Sequence, residues 1–123
     1  FRREEAEICE LISRKNNAVI ATGGGIVLNK KNIENLKRNG TIIFLDCDLE
    51  ILKNRLENDS KNQENRPTLT DMNPEIELQQ IWNERKEKYL ESADIVFDVS
   101  DESLDKRNDI TSKAEQIIAL VKN

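Results

Sequence analysis

Three arginines, one glutamate and a run of three glycines are the residues of this sequence whose types and spacing suit chemistry. Arg2 and Glu5 fall in register with Cys9 and Ile12, at intervals of three, four and three residues, so on a helix both charges lie on or beside an apolar stripe. Leu78, Ile81, Trp82, Arg85 and Tyr89 form a second such stripe, with Arg85 in its middle. A guanidinium among apolar neighbours is costly to desolvate unless an anion or a hydrogen-bond partner meets it. One reading lays each arginine stem along the core and keeps the head in water; the other has an anion or a hydrogen-bond partner meet the guanidinium. Gly23-Gly24-Gly25 follow directly on the apolar run Ala18-Val19-Ile20-Ala21-Thr22. Glycines there are either a sharp, flexible turn or a place where backbone amides approach a ligand closely. Arg66 ends a polar stretch, where it is either an ordinary solvated residue or one that closes over a phosphoryl group.

The elements that must position these residues follow from periodicity. Residues 1–14 read as a helix with Ile8, Cys9, Leu11 and Ile12 near one face, ended by Asn16 and Asn17. Residues 18–22 are almost wholly apolar and read as a strand buried on both faces, as in a parallel sheet. A strand of that kind puts the glycines at its carboxyl end, where parallel sheets bind ligands. A helix is expected over 32–39, closed by Gly40, then a strand over 41–45. Asp46 or Asp48 can cap the next helix, which uses Leu49, Leu52 and Leu56. The polar run from Asn58 to Asn65 reads as a solvated, mobile loop closed by Arg66-Pro67. Pro74 opens a long helix to about Leu90, a strand covers 95–99, and Ile110, Ala114, Ile117, Ile118 and Val121 mark a final amphipathic helix. Strands alternating with helices predict an α/β fold with a parallel sheet. There is no internal repeat and no sign of a second domain.

Composition narrows the function classes. The net charge of −5 argues against a nucleic-acid binder, which carries a basic face. No apolar run approaches the roughly 20 residues of a membrane span, and no signal peptide is evident. Cys9 and Cys47 are far apart and the chain has no histidine, so neither a zinc site nor a disulfide is expected; both read as small apolar residues in a reducing cytoplasm. A chain that opens on Phe1 inside a charged helix is expected to be a piece of a longer protein, a processed product or a partial sequence.

Taken together, Phe1-Arg2-x-x-Glu5, Val19-Ile20-Ala21-Thr22-Gly23-Gly24-Gly25, Thr41-Ile42-Ile43-Phe44-Leu45, Arg66-Pro67, Arg85-x-x-x-Tyr89 and Ala93-Asp94 resemble the shikimate kinase family in order and spacing over nearly the whole chain. The resemblance implies the P-loop kinase fold, three-layered and similar to nucleoside monophosphate kinases, with residues 1–123 as a partial domain and a lid at about 58–73. It implies ATP-dependent phosphorylation of the shikimate 3-hydroxyl, on the route to chorismate and the aromatic amino acids, by a cytoplasmic enzyme that is a monomer when complete.

Residue by residue, the resemblance implies that Arg2 and Arg85 hold the shikimate carboxylate. Glu5 orients Arg2 and borders the substrate, and Gly23, Gly24 and Gly25 surround it with backbone. Arg66 becomes the lid arginine that reaches substrate and transferred phosphate, and Lys61 a partial substitute for an adenine-contacting arginine. The G-x-x-x-x-G-K-[ST] loop that cradles ATP, and the aspartates that serve magnesium and the substrate hydroxyl, do not occur in these residues, so no metal ligand is assigned. In the family's sheet order, 2-3-1-4-5, the three strands expected here are the third, fourth and fifth. The third and fourth both pair with the first, so without it they carry unpaired backbone groups. Two alternatives remain at this level: a degenerate domain that binds shikimate without chemistry, and another small-molecule kinase of the same fold, such as a gluconate kinase. The pairing of Phe1-Arg2-x-x-Glu5 with the triple glycine speaks against the latter.

Overall fold

Each expected helix has an identifiable start. The computed structural model describes residues 1–58, 73–100 and 106–122. Helix α1 spans Arg2–Ile12 and helix α2 spans Lys30–Asn39. The α2 start lies earlier than the periodicity suggests, because Asn29 is the N-cap and its Oδ1 accepts from the Lys31 amide at 2.9 Å. Helix α3, Leu49–Asn58, follows Asp48, whose Oδ1 accepts from the Glu50 amide at 3.0 Å. Helix α4, Pro74–Ser92, opens on the proline after Asn73, whose Oδ1 takes the Glu75 amide at 2.8 Å. Helix α5 spans Lys106–Lys122. Strands β1, Ile43–Asp46, and β2, Ile95–Asp98, form a two-stranded sheet. The Ile95 amide donates to Ile42 O at 3.1 Å and the Val99 amide to Asp46 O at 2.7 Å, so both strands advance in step and the pairing is parallel.

The expected strand over 18–22 is not formed. Those residues are irregular, Val19 is fully exposed and Ile20 is 37% exposed. A strand exists only where a neighbour takes its amides and carbonyls, and among the described residues no segment does so for 18–22. The glycines then open a 3-10 helix, Gly24–Leu28, which periodicity did not indicate.

The chain divides into two compact units. The first comprises Phe1–Phe44 and Arg85–Val96. In it α1 packs on α2 through polar atoms as much as apolar ones. Cys9 and Asn32 are each 1% exposed, the Cys9 thiol donates to Asn32 O at 3.6 Å, and Asn32 Nδ2 donates to Ile26 O at 3.3 Å. Asn32 thereby ties α1, the 3-10 helix and α2, while its own Oδ1 is buried without a partner among the described residues. Burial raises the Cys9 thiol pKa above its ordinary value, and the nearby Glu5 charge raises it further. Asn17 takes a left-handed backbone, φ 54°, at the turn after α1, a conformation asparagine tolerates. Nearby, Asn39 Nδ2 bonds both Lys15 O, at 2.9 Å, and Asn16 Oδ1, at 3.1 Å. Ile8 and Leu11, expected on the covered face of α1, are 57% and 66% exposed.

The second unit comprises Leu45–Glu84 and Phe97–Asn123. Arg55 reaches Val99 O at 2.9 Å and the buried Cys47 Sγ at 3.5 Å; Lys113 reaches the same carbonyl at 3.4 Å and Asp109 at 2.9 Å. Asp98 accepts from the Ser100 amide at 2.8 Å, and hydrogen bonds from Ser100 hold its carboxyl pKa below the ordinary value. The apolar face expected on α5 is largely uncovered, with Ile110 at 70% and Ile118 at 52% exposure.

Among the described residues the buried apolar side chains are Cys9, Val27 and Cys47 alone. Burying a large aliphatic side chain contributes about 1.5–3 kcal/mol, and that contribution is withheld at Val19, Leu11, Leu45 and Ile110, all more than half exposed. The isolated 123-residue chain should therefore lack a cooperative thermal transition and bind a hydrophobic dye. A sharp melt from a soluble, dye-negative monomer would contradict this.

Candidate active site

The first turn of α1 carries Arg2 and Glu5 one turn apart, where residues three apart meet. Arg2 Nη1 donates to Glu5 Oε1 at 2.8 Å, with side-chain exposures of 50% and 12%. The Arg2 guanidinium also lies over the Phe1 ring, 5.1 Å from its centroid, a favourable cation–π geometry. Glu5 thus holds Arg2 in place before any ligand arrives.

The glycines are required by space rather than by backbone conformation, since none has a positive φ. A Cβ on Gly25 would run into the Arg2 guanidinium. A Cβ on Gly24 would lie 2.9 Å from Tyr89 Oη and 3.9 Å from Arg85 Nη1. A Cβ on Gly23 would meet only Glu5 Oε2, at 3.9 Å. Consecutive Cα atoms are about 3.8 Å apart, so Arg2 and Arg85 converge on neighbouring residues of one glycine corner. The amides of Gly24 and Gly25 have no acceptor among the described residues.

Arg85 differs from Arg2 in one respect. It is half-buried, yet no acid or carbonyl among the described residues meets it. A desolvated guanidinium without a counter-charge favours an anion, and its planar fork suits a carboxylate. The structure therefore brings together Arg2, Glu5, Gly23, Gly24, Gly25 and Arg85, all in the first unit. Arg66 and Lys61 lie outside the described residues.

Two contributors escaped the sequence reading. Tyr89, seen there in an apolar stripe and in the Arg85-x-x-x-Tyr89 motif but given no role, donates its hydroxyl to Gly24 O at 3.0 Å and stacks its ring on Phe44, centroids 5.2 Å apart at 20°. The signal was a tyrosine one turn beyond Arg85, since a buried tyrosine ring needs a partner for its hydroxyl. Asp94, seen only as part of a motif, accepts the Ile42 amide at 2.8 Å and pairs with Lys37 at 3.6 Å, so it fixes the start of β1.

The parallel α/β arrangement is part of the P-loop kinase class of fold, the nucleoside-monophosphate-kinase-like branch, as its likeness to a solved relative shows. The shikimate kinase family profile matches residues 1–120. The chain belongs to the shikimate kinase family. It is 41% identical over 103 residues to the shikimate kinase of Lactococcus lactis, covering 84% of this chain and 60% of that protein. It is 43% identical over 105 residues to that of Thermoanaerobacter pseudethanolicus, covering 85% and 58%. Among solved structures, shikimate kinase from Acinetobacter baumannii in complex with shikimate superposes with a TM-score of 0.74 at 28% identity, over 97% of this chain and 63% of that one. The chain thus spans about 60% of the length of the relatives it matches.

Gly25→Ala in the full-length protein should swing the flexible Arg2 head aside without moving backbone. Denaturation should then show a loss below about 1 kcal/mol, the range of an exposed ion pair, and a crystal structure of the variant should show the Arg2–Glu5 pair opened. Gly23→Ala should leave that pair intact.

Proposed function

We propose that this chain carries the acid-binding side of a shikimate kinase, an enzyme that transfers the γ-phosphate of ATP to the 3-hydroxyl of shikimate. One observation carries the reading: Arg2 and Arg85 converge on Gly24–Gly25 while no acid among the described residues meets Arg85. The Acinetobacter baumannii relative, solved with shikimate, supports the choice of acid.

In this reading the shikimate carboxylate takes the free donors of Arg85 together with those Arg2 does not spend on Glu5. The amides of Gly24 and Gly25, which have no acceptor among the described residues, donate to ring hydroxyl oxygens, and Glu5 borders the site. Holding the acid in one orientation turns an encounter between two solutes into a positioned reaction, and little covalent work is left to the protein. Residues 58–73 act as the lid, with Arg66 meeting the developing charge on the transferred phosphoryl group and Lys61 near the adenine. Closure of such a segment excludes water, the competing acceptor.

ATP and magnesium enter through the family. Among the described residues no three acidic, cysteine or histidine side chains group as a metal site, and the sequence contains no G-x-x-x-x-G-K-[ST] loop. In this reading the described residues bind and orient the acid. No helix among the described residues is long and apolar enough to cross a membrane. Both cysteines are free, in keeping with a reducing, cytoplasmic setting.

In the full-length protein, Arg85→Ala should weaken shikimate binding by about 10- to 100-fold, the value of one or two charge-assisted hydrogen bonds, and leave ATP binding unchanged. Calorimetric titration with each ligand checks this, and an unaltered shikimate affinity overturns the carboxylate role. Arg66→Ala should lower kcat by about 100-fold or more with a small change in KM; intact turnover in a steady-state assay would remove Arg66 from the reaction.

A further inference from the structure

We infer that Tyr89 is a positioning residue of the acid-binding corner: its hydroxyl fixes the Gly24–Gly25 peptide plane, and with it the direction in which the Gly25 amide donates. The inference rests on the shikimate-binding reading above.

A peptide unit is planar and trans, so its carbonyl and its amide point in opposite directions. The carbonyl of Gly24 and the amide of Gly25 belong to one such unit. Tyr89 Oη donates to that carbonyl at 3.0 Å, which commits the Gly25 amide to the opposite side. The amide itself has no partner among the described residues, so its direction is open to a ligand and is set from the carbonyl side alone.

A glycine pair needs this restraint more than any other dipeptide. With no Cβ on either residue, φ and ψ on both sides of the peptide rotate at little steric cost, and a half-turn of the plane would offer an acceptor where a donor stood. An acceptor facing a carboxylate or a hydroxyl lone pair repels it. Tyr89 is well placed to prevent the turn. Its ring is stacked on Phe44, a residue of β1, so the hydroxyl cannot readily follow a moving carbonyl. It also sits one turn after Arg85 on α4, so the residue that fixes the corner and the cation that faces the acid move as one rigid piece. The same closeness explains the glycine at 24, where a Cβ would lie 2.9 Å from the Tyr89 hydroxyl.

The test is steady-state kinetics on the full-length protein with four variants. Tyr89→Phe keeps the stacked ring and removes only the hydroxyl. It should raise the shikimate KM about three- to tenfold, the value of one hydrogen bond, with the ATP KM unchanged. Gly24→Ala should raise the shikimate KM more than this, because its Cβ forces the hydroxyl off the carbonyl. Combining Gly24→Ala with Tyr89→Phe removes the obstruction, so the double variant should fall back to the shikimate KM of Tyr89→Phe alone. A Tyr89→Phe enzyme that melts earlier but keeps its shikimate KM, or raises both KM values equally, overturns the inference, as does a double variant whose defect is the product of the singles. Arg85→Ala, run alongside, separates the two levels. If it loses shikimate affinity while Tyr89→Phe does not, the positioning role alone fails; if neither variant changes shikimate affinity, the acid-binding reading fails with it.

Discussion

A half-buried guanidinium that no described acid meets sets the terms for the first unit. Left to itself, Arg85 would extend its head into water, because desolvating a cation costs more than packing its stem returns. It stays at the corner because α4 carries it one turn before Tyr89, whose hydroxyl bonds the Gly24 carbonyl. The other residues divide the work around it. Arg2 is given a resident acid, Glu5, and so is oriented in advance. Arg85 is given none among the described residues, which in the proposed reading leaves it for an incoming acid. Such an arrangement is preorganised on one side and unsatisfied on the other, as a site for a small acid requires.

The scaffold that supports the corner is held by polar contacts to an unusual degree. Asn32, not a large aliphatic residue, is the most buried side chain between α1 and α2, and it spends its amide on Ile26 O. Its unpartnered Oδ1 costs about 1–3 kcal/mol, which a thin apolar core is poorly able to offset. In the second unit the carbonyl of Val99, just past β2, is met by both Arg55 and Lys113, so long cationic side chains close the strand end there. Such contacts specify geometry well and add little net stability.

Much of this was legible before any coordinates. Asp46 or Asp48 and Asn73-Pro74 marked helix starts, and the stripes through Arg2 and Arg85 raised two charges that either reach water or need a partner. Residues 18–22 misled, because an apolar run reports that a segment should be buried and not that a neighbour is present to pair with it. The glycines were read as a loose turn or ligand corner, yet they open a 3-10 helix with ordinary negative φ values. Tyr89 was passed over because its role depends on a carbonyl 65 residues away, which no local period encodes.

Local chemistry settles what is local. By itself the sequence determined which segments coil into helices, which residues lie one turn apart on them, and which family the chain resembles, since helix periodicity and capping act within a few residues. Only the tertiary structure decided that Arg2 stands against Gly25 and Arg85 against Gly24, that Tyr89 closes on the Gly24 carbonyl, and that Val19 lies open to solvent. Those facts depend on chain segments far apart in sequence meeting in space, and a meeting of that kind is set by the packing of the whole, which residue order constrains but does not display.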